Sequence, residues 1–160
     1  MLAFPDGTKT DGPPTSWTAT RASGVFEVRT NRLTINNSGG EGVLETGEIG
    51  IGGGSVRVSV EVQGQGALDS SGGSLDYVRF YKIVDGGPPV LIGPEILGAV
   101  SGTQTLLGTN ITGGKLKLRI ETLVTAADEH YFCDNLKVER EAVTTNYALA
   151  TSAVNGSITL

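Results

Sequence analysis

Hydrophobic and polar residues alternate in four stretches of the chain. Val56, Val58, Val60 and Val62 alternate with Arg57, Ser59 and Glu61, and Leu116, Leu118 and Ile120 alternate with Lys117, Arg119 and Glu121. In DYVRFYKIV, Val78, Phe80 and Val84 lie opposite Tyr77, Arg79 and Tyr81. In HYFCDNLKVE (130–139), Phe132, Leu136 and Val138 share one face. A period of two marks a strand with one buried face. Weaker strands are expected at 25–29, 32–35, 43–49, 90–92 and 104–108. The clusters NNSGG, GIGGG, DSSGGS, DGGPP and NITGG read as turns. Pro88, Pro89 and Pro94 suit loops or a sheet edge. No convincing amphipathic helix is present. Short strands at this spacing, each with one polar face, predict an all-β antiparallel β-sandwich of jelly-roll type.

The fourth stretch poses a chemical question. Its parity places Asp134 on the buried face and Cys133 on the outer one. A buried carboxylate is costly unless it meets a cation or hydrogen-bond donors. Catalytic acid, metal ligand and strand-end acceptor of backbone N–H groups are the readings open to it.

Composition narrows them. The chain has 160 residues, 24 of them glycine, and a formal net charge of −5. That charge argues against general nucleic-acid affinity. One cysteine and one histidine exclude a disulfide framework and Cys- or His-rich metal centres. No apolar run approaches the ~18 residues of a membrane span, so no membrane insertion is expected. MLAFPDG has neither a basic n-region nor an apolar h-region, so no signal peptide is expected; an added first methionine would make the chain a portion of a larger one. No nucleophile motif or compelling Ser-His-Asp arrangement is present, and no enzyme activity is expected. His130 reads as a polar residue at a strand start and Cys133 as structural.

The outward strand positions hold the candidate binding chemistry. Tyr77, Arg79 and Tyr81 share one strand face, Lys115, Lys117 and Arg119 share another, and Arg57 lies on a third strand. Were these strands in one sheet, they would form a basic strip with two tyrosines. Tyrosine offers a ring to a sugar face, and arginine forks onto carboxylate or sulfate. Ordinary solvated β-faces are the alternative. Trp17 suits either the core or a stacking platform, and the loop at 66–74 and the DGGPP turn are alternative binding rims.

LETGEIGI (44–51), Asp76 to Gly87, and Phe132 to Val138 together resemble a non-catalytic β-sandwich module of secreted multidomain proteins from polysaccharide-degrading bacteria. A tryptophan commonly precedes the Glu-Thr pair in those modules; here Leu44 stands there. The resemblance covers roughly residues 3–140. AFPDG, Trp17 and FCDN similarly resemble jelly-roll carbohydrate-binding modules, in which an acid near the N-terminus and an aspartate on the last strand often hold structural calcium. That implies Asp6 beside Asp134, with Glu45 and Asp76 as further candidate ligands. It also implies a monomeric, secreted, polysaccharide-binding module attached to a catalytic domain in the same chain. A structural or adhesive spacer of a surface protein is the alternative. The expected organisation is a sandwich at 1–140, a linker at 141–146, and at 147–160 a tail or the truncated start of a repeat resembling internalin B-repeats.

Overall fold

The computed structural model describes residues 17–20, 26–29, 32–36, 40–73 and 75–142. Asp6 and residues 143–160 lie outside the described residues. Among those described, twelve strands occur: β1 (Trp17–Ala19), β2 (Phe26–Arg29), β3 (Arg32–Asn36), β4 (Gly42–Thr46), β5 (Ile49–Gly50), β6 (Val56–Gln65), β7 (Tyr77–Val84), β8 (Val90–Leu91), β9 (Ile96–Leu97), β10 (Thr103–Ile111), β11 (Lys115–Leu123) and β12 (His130–Arg140). No helix occurs among them, so none is long and apolar enough to cross a membrane.

The strands form two antiparallel sheets. One has seven strands, in the order β1-β4-β11-β7-β8, with β5 also on β11 and β9 on β7. The other has five, in the order β10-β6-β12-β3-β2. From β3 onward the principal strands alternate between sheets: β3, β6, β10 and β12 lie in the five-stranded sheet, and β4, β7 and β11 in the other. This is the predicted jelly-roll sandwich.

The alternating positions build its core. Val56, Val58, Val60 and Val62 face Leu44, Val78, Phe80, Leu116, Leu118 and Ile120, all buried. Fully burying a side chain of this size contributes about 1.5–3 kcal/mol relative to exposure.

Strand β12 departs from its predicted parity. Tyr131 and Cys133 are fully buried, whereas Phe132 is half-buried and Asp134 exposed. The cause is an extra residue. Asp134 pairs with Glu61, but the next pair is Lys137 with Ser59, so three steps on β12 match two on β6. The bulge centres on Asn135, whose φ is +50°. Asparagine tolerates this left-handed conformation better than most residues. Inward parity therefore runs Tyr131, Cys133 and then Leu136. The buried carboxylate expected at Asp134 does not exist: its Oδ1 accepts the Asn135 N–H at 2.7 Å in an exposed position. Cys133, expected outside, is in the core, and burial pushes its thiol pKa up. Tyr131 reaches across the core, donating its hydroxyl to the Gly98 carbonyl at 2.8 Å.

Asn135→Gly should change stability by less than about 0.5 kcal/mol, and Asn135→Val should cost about 1–3 kcal/mol, because a β-branched residue is strained at positive φ. Urea unfolding of both variants checks this.

Candidate functional site

The predicted strip is largely assembled. Strands β7 and β11 are neighbours, with Tyr81 opposite Arg119 and Arg79 opposite Glu121. Tyr77, Arg79, Tyr81, Lys117 and Arg119 thus share the outer face of the seven-stranded sheet. Arg57 does not join them, because β6 belongs to the other sheet, where Arg57 pairs with Glu139 at 2.9 Å. Trp17 lies in the core, 9% exposed.

The strip is not a free basic surface. Arg119 bridges Glu45 at 2.5 Å and Glu121 at 3.3 Å. Lys117 lies 3.9 Å from Glu45, and Lys115 pairs with Glu48 at 2.7 Å. Arg79 stacks 4.1 Å from the Tyr77 ring centroid and ion-pairs with Glu95. Tyr77 donates to Glu41. Burial, then the adjoining carboxylates Glu41 and Glu121, raise the pKa values of Tyr77 and Tyr81, so both stay neutral donors. A cleft of about 300 Å³ opens at one end of this face, between Glu45, Lys115, Lys117 and Arg119 on one side and Ile83 and Asp85 on the other.

Of the proposed calcium ligands, the three that lie among the described residues, Asp134, Glu45 and Asp76, do not converge. Asp134 is exposed on the five-stranded sheet, and Glu45 sits in the strip on the opposite sheet. Asp76 alone is deeply buried, 0% exposed. Its Oδ2 accepts the Asp69 N–H at 2.7 Å, and its Oδ1 accepts Thr125 N–H at 2.8 Å and Thr125 Oγ1 at 3.2 Å. Its own N–H and carbonyl bind Asp69 and Gly98 at 2.8 Å each. Asp76 thereby ties three loops together. Carboxylate oxygens of Asp69, Asp76 and Glu129 lie within 4.8 Å of one another. Oxygen donors suit a hard cation such as calcium, although three hydrogen bonds already occupy Asp76. Glu129 is 5% exposed, with its Oε2 accepting Ala126 N–H at 3.1 Å. Burial, then the charge of Asp76, raises its pKa.

The outer face of the five-stranded sheet holds residues the sequence reading did not assign to a site. With Tyr131 and Cys133 inward, His130 and Phe132 point outward. Their rings stack at 5.8 Å between centroids, 5° from parallel. The Arg32 guanidinium lies 3.8 Å from the Phe132 centroid. Register sets Asn36 and Gln65 on either side of His130, and Thr34 and Gln63 on either side of Phe132. Gln63 donates to Thr103 at 2.7 Å. Thr34 Oγ1, Asn36 Oδ1 and His130 Nδ1 are buried atoms without a hydrogen-bond partner. Glu27 Oε2, on the same face, has the Arg29 ion pair instead. Orphaned polar atoms are uncommon and call for an explanation. The signal within the sequence was Asp134-Asn135, a turn-type pair inside a strand, which marks a bulge and a change of parity.

No protein-family model matches the chain, and no characterised protein matches it significantly in sequence. Solved structures do share its fold. TmCBM61 in complex with β-1,4-galactotriose aligns with a TM-score of 0.53 at 13% identity, over 88% of this chain and 100% of that one. The K3 cleaved adhesin domain of Lys-gingipain from Porphyromonas gingivalis aligns with a TM-score of 0.52 at 11% identity, over 84% and 97%. At these identities the likeness establishes the all-β sandwich.

The raised pKa of Glu129 has a thermal consequence. A carboxyl that holds its proton more tightly when folded favours the fold below its ordinary pKa; that contribution is lost as pH rises through the folded value. Glu129→Gln, which can still accept from Ala126, should therefore melt higher than the parent at neutral pH in EDTA, with the difference closing in acid. Added calcium that binds the cluster should raise the parent's melting point and not the variant's; identical parent melts with and without calcium remove the metal reading.

Proposed function

We propose that this domain is a non-catalytic carbohydrate-binding module whose glycan site is the outer face of β3, β12 and β6. The observation that carries the proposal is the row Arg32, Phe132, His130, held rigid by stacking and bordered by polar groups with unused hydrogen-bonding capacity. Sugar hydroxyls both donate and accept. They suit Asn36 and Gln65, whose terminal amides turn about a soft torsion. Side chains already ordered by packing lose little freedom on binding. The strip on the opposite sheet lacks this capacity, because its cations are already matched to carboxylates. The fold shared with a module solved with β-1,4-galactotriose supports the reading.

Such a module acts by proximity. Joined in one secreted chain to a polysaccharide-active catalytic domain, it would raise the effective concentration of polymer without chemistry of its own. The alternative is an adhesive or spacer role, for which the shared fold of the Lys-gingipain adhesin domain is the favouring observation.

Affinity electrophoresis through gels containing neutral, uronic or sulfated polysaccharides tests the proposal. Retardation in at least one gel is expected. Phe132→Ala should weaken it on the order of tenfold or more, about 1.4 kcal/mol, while Arg119→Ala on the opposite sheet leaves it unchanged. Migration unaffected by every polymer would favour the spacer reading, and reducing-end or unsaturated products from the same polymers would overturn the non-catalytic assignment.

A further inference from the structure

We infer that this site binds an acidic sugar and that Arg32 receives the oxyanion. The inference rests on the carbohydrate-binding reading of the same face and narrows its ligand class.

It starts from an unbalanced pair. Arg29 and Arg32 are direct cross-strand partners where β2 meets β3. Like charges placed opposite one another destabilise a sheet pair. The carboxylate of Glu27 is beside them and is taken by Arg29. Arg32 makes no ion pair and no side-chain hydrogen bond among the described residues; its partner is the Phe132 ring, 3.8 Å away. This contrasts with Arg57, Arg79 and Arg119, each of which holds a carboxylate.

Stacking does two things for Arg32. It restrains the guanidinium over the ring, and it leaves the N–H donors without a partner among the described residues, since a ring offers them no acceptor lone pair. A planar fork so restrained matches a carboxylate or a sulfate oxyanion with two parallel hydrogen bonds. The other charged groups on this face are paired, as Arg29 with Glu27 and Arg57 with Glu139, or lie at the bulge. Asp134 is exposed and has no ion-pair partner among the described residues, and Glu61 accepts Asn135 Nδ2 at 2.9 Å. Both belong to the bulge. Lys137 follows them on the same face and Glu27 offsets Arg29, which leaves Arg32 as the cation beside the stack that holds no carboxylate among the described residues. The remainder of the sugar then lies along Phe132 and His130, near Asn36 and Gln65.

Titration calorimetry with an oligogalacturonate, a sulfated galactan oligomer and a neutral β-1,4-galactan oligomer tests the inference. One of the two acidic oligomers should bind about tenfold or more tightly than the neutral one and weaken as salt is raised; which of them does so identifies carboxylate or sulfate. Arg32→Ala should remove the preference, weakening the acidic oligomer far more than the neutral one, while leaving the melting point near that of the parent. Arg32→Lys, which keeps the charge but not the planar fork, should restore part of it. A neutral oligomer bound as tightly as both acidic ones, or an Arg32→Ala variant that keeps the preference, overturns the acidic class and leaves the module reading standing. Failure of all three oligomers, together with failure of every polymer in the gels, overturns both.

Discussion

One extra residue in β12 decides what this molecule shows to solvent. β12 is the central strand of the five-stranded sheet, so its parity sets the face of the whole sheet. Without the bulge at Asn135, keeping Leu136 and Val138 inward would also bring in Phe132 and Asp134 and send Tyr131 and Cys133 out. A carboxylate would enter the core without a cation. A tyrosine that binds Gly98 across the core would leave it. The positive φ at Asn135 avoids both, at the local cost of a left-handed residue and one broken rung of the ladder. The same step turns His130 and Phe132 outward, where they stack with Arg32. Core packing and the candidate site are therefore two results of a single backbone feature.

The two outer faces differ in how far their polar groups are matched. On the seven-stranded sheet the register places Glu45 beside Arg119 and Glu121 beside Arg79, and the tyrosines join through Glu41 and Glu121. Exposed ion pairs contribute little individually. A linked set of half-buried ones, in which Arg119 meets both Glu45 and Glu121, orders its members. A ligand that bound there would have to displace contacts already made. On the five-stranded sheet the stack orders Arg32, Phe132 and His130 through their faces instead, and the neighbouring Asn36 Oδ1 and His130 Nδ1 have no hydrogen-bond partner among the described residues.

The sequence made the sandwich legible where alternation was unbroken. The Val56–Val62 and Leu116–Ile120 runs fold as their period requires, because nothing within them resets the parity. β12 was misread because the alternation template assumes constant parity, and Asp134-Asn135 breaks it. The strip was half legible. Its side chains do share a face, but apart from Glu121 on β11 itself the carboxylates that neutralise them come from other segments, Glu45 from β4 and Glu95 from just before β9. Arg57 was assigned to the strip because periodicity says which side of a strand faces out, not which sheet the strand enters. Arg32 and Asn36 were invisible for a related reason: in RLTIN they look like ordinary polar positions, and they acquire meaning when β3 pairs with a residue almost a hundred positions later.

The question first posed by Asp134, what a buried carboxylate ties down, has its answer at Asp76. Asp134 lies inside β12, whereas Asp76 precedes β7 by one residue, where loops at 69, 98 and 125 converge. Loops bring backbone N–H groups that no ladder satisfies, and a carboxylate is the side chain best able to accept several at once. A strand interior offers no such donors, since its N–H groups are already engaged in the sheet. A buried aspartate in a jelly roll is therefore to be expected at a loop junction, and an aspartate inside a strand is the cue to look for a bulge that puts it in water.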